Sequence, residues 1–131
     1  MSNLLCNKSI LIVDDDVRLL RALGKVLSDE GAATTCVEWA DDAFRILTAR
    51  PKKFDLVITD FRMPFVSGLQ VMQTLREILP KLPIMVLTAY GGPDVQSECM
   101  RQGAAAFLEK PVDADQLLAT ISNLFTSRTN G

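Results

Sequence analysis

The sequence predicts an α/β domain, a five-stranded parallel sheet with helices packed on both faces. Three observations carry this. Five short, apolar, branched-rich runs recur: Ile10–Val13, Ala33–Val37, Leu56–Thr59, Ile84–Leu87 and Ala106–Leu108. Segments of helical periodicity separate them, and regular alternation of strand and helix is the pattern of a parallel sheet. Continuous apolar stretches such as Ile10-Leu11-Ile12-Val13 suit strands buried on both sides.

The helices follow in order. The first spans about Asp16–Asp29, with Leu20, Leu23 and Leu27 on one face and Gly31 as its stop. The second covers about Ala40–Ala49, with Ala43, Ile46 and Leu47 inward. The third covers about Gly68–Leu79 and turns Leu69, Met72, Leu75 and Leu79 to the core. The fourth begins near Pro93, a residue favoured at the first helical position. The last starts after Asp113, whose carboxylate can cap it, with Gln116 completing a capping-box pattern. Leu117, Leu118, Ile121 and Phe125 supply its buried stripe. A single domain is expected over 1–131, with its core at about 8–125 and a polar, fraying tail at 126–131.

Composition narrows the function. Fourteen basic and 16 acidic residues give a net charge of -2, which leaves no footprint for nucleic acid or for a membrane surface. The chain has no histidine, so histidine-based metal ligation and Ser/His/Asp or Cys/His catalysis are excluded. Cys6, Cys36 and Cys99 are odd in number and widely spaced, unlike a disulfide framework or a paired zinc site. A reducing, cytoplasmic setting is the simplest expectation. No signal pattern or membrane-length apolar run occurs, and neither a phosphate-binding loop nor a dinucleotide fingerprint is present.

Ligands of open parallel sheets bind beyond the carboxyl ends of the strands. Asp14, Asp15 and Asp16 follow the first strand, Asp60 the third, Thr88 the fourth, and Lys110-Pro111 the fifth. Asp16 also has an ordinary reading as a helix cap, and Thr88 as a local backbone partner. Jointly the set is more informative. Asp14, Asp15 and Asp60 bring a charge of -3, which one magnesium ion and Lys110 would cancel. Asp60 can then act as a nucleophile toward phosphorus. Lys110 and the Thr88 hydroxyl can steady the phosphoryl oxygens.

Four segments carry a family resemblance: ILIVDDD at 10–16, DLVITDFRMPFVSG at 55–68, PIMVLTAYG at 83–91 and AFLEKPVD at 106–113. Over about Lys8–Phe125 the chain resembles the receiver domains of two-component response regulators, the CheY-like superfamily. The resemblance implies a flavodoxin-like, doubly wound sheet in the order 2-1-3-4-5. It implies Mg2+ held by Asp14, Asp15, Asp60 and the Arg62 carbonyl, with Asp60 as phosphoacceptor. It also implies Thr88 and Phe107 as switch residues, Met63, Pro64 and Gly68 as parts of the loop after the acceptor, and a cis peptide at Lys110–Pro111. The phosphodonor would be a histidine kinase or histidine phosphotransfer protein. An effector, or self-association, would use the face formed by the fourth helix, fifth strand and fifth helix. The wording DFRMP, LTAYG and LEKP is similar to receivers that precede ATPase-type transcription activators.

Such a chain is a switch rather than an enzyme, catalysing its own phosphoryl transfer and a slow self-dephosphorylation. Arg62 and Tyr90 would flank the approach of the hydrolytic water, and neither suits its orientation. Competing readings are the receiver portion of a longer transcription regulator, an interaction module that takes no phosphate, and an aspartate-nucleophile phosphatase of the haloacid dehalogenase type. Asp14-x-Asp16 echoes the phosphatase motif, but Arg18 stands where that motif needs threonine or valine.

Overall fold

A computed structural model describes residues 4–50, 53–63, 66–89 and 91–130, of which 62–63, 66–69 and 127–130 are described by their backbone. Five strands alternate with five helices. They are β1 (Ser9–Val13), α1 (Val17–Asp29), β2 (Ala33–Val37), α2 (Ala40–Ala49), β3 (Leu56–Asp60), α3 (Gly68–Ile78), β4 (Ile84–Thr88), α4 (Pro93–Arg101), β5 (Ala106–Glu109) and α5 (Ala114–Asn130). The sheet runs β2-β1-β3-β4-β5, and all its pairs are parallel. This is the expected flavodoxin-like order.

Successive strand residues point to opposite faces, so each central strand feeds two cores. Leu11, Val13, Val57, Ile84 and Val86 pack toward α2, α3 and α4, beside Leu47, Met72, Leu75 and Cys99. Ile10, Ile12, Leu56, Ile58, Met85 and Leu87 pack toward α1 and α5, beside Leu23, Leu27, Leu117 and Ile121. Each fully buried aliphatic chain contributes about 1.5–3 kcal/mol. β3 and β4 are buried along their whole length, whereas β2, at the sheet edge, is half-exposed.

The helix ends follow their local chemistry. Asp16 caps α1 by accepting from the Leu19 N–H at 3.3 Å. Gly31 takes φ 99° just after α1, where a side chain would be strained. Asp113 accepts from the Gln116 N–H at 3.1 Å and opens α5.

Two features depart from the sequence reading. A two-stranded antiparallel ribbon, Arg62–Met63 with Val66–Ser67, follows β3; runs this short carry no periodicity to read. Leu5 is fully buried in the α1/α5 core, so packing begins before Lys8. The helix α5 is assigned through Asn130. The inward placement of Leu69 lies outside the described side chains. Among the described residues, no helix is long and apolar enough to cross a membrane.

Candidate functional site

The carboxyl ends of four strands meet at one edge of the sheet. Asp14 follows β1, Asp60 closes β3, Thr88 closes β4, and Lys110 follows β5. Backbone bonds hold these ends in register. The Asp14 N–H donates to the Val37 carbonyl at 3.1 Å, and the Lys110 N–H to the Thr88 carbonyl at 2.8 Å. The Lys110–Pro111 peptide is cis, as expected.

The side chains converge. The Lys110 ammonium donates to Asp14 Oδ2 and to Asp60 Oδ2, each at 2.8 Å. The other oxygen of Asp14 accepts from the Asp16 N–H at 2.9 Å. Asp14, Asp60 and Thr88 are buried, with 2%, 6% and 0% of their surface exposed, whereas Asp15 is open to solvent. Polar groups so deeply buried are costly unless paired, and with Thr59, also buried beside Asp60, they set this edge apart from the mostly apolar core.

Asp14, Asp15 and Asp60 each offer an oxygen, and these oxygens all lie within 4.8 Å of one another. Three carboxylates and one ammonium leave a net charge of -2 in the cluster. Burial pushes the Asp14 carboxyl above its ordinary range, although Lys110 and the Asp16 N–H pull the other way. Burial also works against the charge on Lys110, but its bonds to Asp14 and Asp60 outweigh this and hold the ammonium above its usual range. A hard divalent cation with oxygen preference fits such a donor set, and the exposed Asp15 gives it a way in.

Asp16 is not part of the cluster. Its carboxylate caps α1, so the paired-aspartate arrangement of a phosphatase lacks its second member here. Phe107 is partly buried and packs on the α2/α3/α4 side of the sheet. Arg62 begins the ribbon two residues after Asp60, so its backbone borders the site. The side chains of Arg62 and Met63, together with Pro64 and Tyr90, lie outside the described residues.

Sequence reasoning missed one contact at this edge. Glu109, immediately before Lys110, accepts from the Gly92 N–H at 3.2 Å, across 17 residues of chain. Its charge in a strand-end tetrapeptide gave no hint of a partner, although its register opposite Thr88 placed it beside the loop that follows.

The comparisons with known proteins agree on one relationship. A family model described as "Response regulator receiver domain" matches residues 10–122. The transcriptional regulatory protein GlrR of Escherichia coli is 37% identical over 114 residues, covering 87% of this chain and 25% of GlrR. The response regulator protein FleR of Pseudomonas aeruginosa is 39% identical over 113 residues, covering 86% of this chain and 24% of FleR. The chain thus spans about a quarter of the length of these curated relatives. A response regulator receiver domain protein from Clostridium thermocellum superposes with a TM-score of 0.86 at 30% identity, covering 93% of this chain and 97% of that one. A response regulator from Burkholderia pseudomallei, solved with a phosphorylated aspartic acid, calcium ion and citrate, gives 0.79 at 25% identity, covering 94% and 73%.

Proposed function

Because the chain belongs to the response regulator receiver domain family, we propose that it is a phosphorylation-activated switch of a two-component system, with Asp60 as the phosphoacceptor. One observation carries the assignment to Asp60: its carboxylate is buried at the sheet edge, bonded to Lys110, and within 4.8 Å of two further carboxylates. The phosphorylated aspartic acid in the Burkholderia pseudomallei relative supports the same chemistry.

The donor on this reading is a phosphohistidine of a kinase or phosphotransfer protein. An Asp60 oxygen forms the new O–P bond as the P–N bond to the donor imidazole breaks, and the imidazole leaves with that electron pair. Asp14, Asp15 and Asp60, with the Arg62 carbonyl, would hold Mg2+, which neutralises charge that builds on the transferring group. Lys110 already points between Asp14 and Asp60, so its ammonium can swing to a phosphoryl oxygen without crossing the site. The Thr88 hydroxyl would turn to another oxygen, and Phe107 would respond on the neighbouring strand. The region over 1–131 acts as a single receiver unit, and the face formed by α4, β5 and α5 presents the result to an effector or a second copy. The length of the matched curated relatives fits a receiver that serves a longer regulator.

Incubation with acetyl phosphate and magnesium is expected to raise the intact mass by one phosphoryl group, with a chelator preventing it. A chain that stays unlabelled, or labels equally well in chelator, is not a metal-dependent receiver.

Lifetime is set by how well water reaches phosphorus in line with the Asp60 oxygen. Arg62 and Tyr90 are placed two residues after Asp60 and Thr88, and neither can orient water as a carboxylate or amide would. Slow self-dephosphorylation is expected. Arg62→Asn and Tyr90→Glu should each speed decay of the labelled protein; decay unchanged or slower in both would remove these residues from the gate.

A further inference from the structure

We propose that Glu109 is a positioning residue that pins the N-terminus of α4 to the end of β5 in the unphosphorylated protein, and that occupation of the acceptor site releases it. The release half of this rests on the switch reading above; the pin itself does not.

α4 opens without a cap of its own. Its N-cap is Gly92, which has no side chain, and no side-chain bond within the segment serves the first turn. The Glu109 carboxylate, from a different element, accepts instead from the N–H of the N-cap residue Gly92 itself, at 3.2 Å, as the reciprocal member of a capping box does. A negative group there also meets the positive end of the helix dipole. α4 is held on the sheet by few side chains, Cys99 fully buried and Val95 partly buried against the same core. A bond at its start, though exposed, adds to this small set of contacts and bears on where that end of the helix sits.

Gly91 shows how closely the carboxylate is seated. A Cβ at that position would overlap the Glu109 carboxyl group. Glycine leaves the room, and any larger residue would push the Glu109 side chain away.

The pin lies on the path that a signal must take. Glu109 stands between Lys110 and, two residues back on the same face of β5, Phe107. It is paired in register with Thr88, whose carbonyl also accepts from the Lys110 N–H. The Thr88 end of β4 runs into Gly91–Gly92 after two residues. Movement of Thr88 toward a phosphoryl group is thus transmitted to a loop whose far tether is Glu109. A ligand moves a two-state equilibrium only by favouring one state, and the lost Glu109–Gly92 bond is a difference between the two.

The test is amide NMR of the wild type and of Glu109→Ala, Glu109→Gln and Gly91→Ala, with and without beryllofluoride and magnesium. In the free Glu109→Ala protein, exchange of the Gly92 amide should rise about three- to tenfold, as expected for loss of one modest hydrogen bond. Its α4 resonances should move part of the way toward the beryllofluoride-bound wild-type positions. Glu109→Gln keeps an acceptor oxygen and should restore most of the wild-type behaviour. Gly91→Ala should mimic Glu109→Ala, and the double variant should go no further than either alone. Unchanged Gly92 exchange in Glu109→Ala overturns the pin. Increased exchange with α4 resonances that stay put, or move away from the bound positions, overturns the release. A wild type that does not respond to beryllofluoride at all would count against the switch reading and the release, while the exchange of Gly92 would still decide the pin.

Discussion

Replacing Asp60 by asparagine is expected to abolish covalent phosphorylation by acetyl phosphate while leaving the fold intact. The carboxylate oxygen is the nucleophile on the proposed reading, and an amide cannot take its place. The exchange is close to isosteric, and the amide oxygen can still accept from the Lys110 ammonium, which keeps its second bond to Asp14. Removing one of three clustered carboxylates also relieves repulsion. The variant should therefore melt no lower than the wild type, so that loss of label reports chemistry and not unfolding. Intact mass after labelling, with peptide mapping, is the measurement. A label that persists on Asp14 or Asp15 would move the acceptor, and both lie close enough to make the mapping necessary.

That Asp60 could be singled out from sequence has a physical basis. A parallel sheet brings the carboxyl ends of its strands to one edge, so a polar residue at a strand end is placed in three dimensions as soon as the strand is recognised. Asp14, Asp60, Thr88 and Lys110 were legible for that reason, as were the helices with clear caps, α1 behind Asp16 and α5 behind Asp113. Features that depend on contacts between distant segments were not. Leu5 falls before the core expected from about residue 8, until Leu27, Ile121 and Phe125 are seen around the same core. The ribbon of Arg62–Met63 and Val66–Ser67 is set by pairing between two-residue strands, too short for any pattern. Glu109 reads as a surface charge until β5 is laid beside the start of α4.

The second large effect expected is on Lys110. Lys110→Met keeps the methylene stem and removes the ammonium, leaving Asp14 and Asp60 buried without the bonds they now accept at 2.8 Å. Removing one partner of a buried ion pair costs about 3–5 kcal/mol, and the slight exposure of Lys110 places this case near the lower end, about 3 kcal/mol. In the metal-free protein the midpoint of urea or thermal unfolding should fall accordingly. Magnesium should then raise the stability of the variant by more than it raises the wild type, because the ion meets a cluster charge of -3 instead of -2. Binding to the folded state alone stabilises it by mass action, so the size of that increment reports affinity. Labelling should nevertheless remain slow even at saturating magnesium, by about a hundredfold, the scale of losing one preorganised donor to a developing anion. These two halves separate the roles of the residue. Equal magnesium increments in variant and wild type would mean that Lys110 and the ion do not share a charge cluster. Wild-type labelling rates in Lys110→Met would mean that the ammonium holds the unphosphorylated site together and takes no part in the transfer.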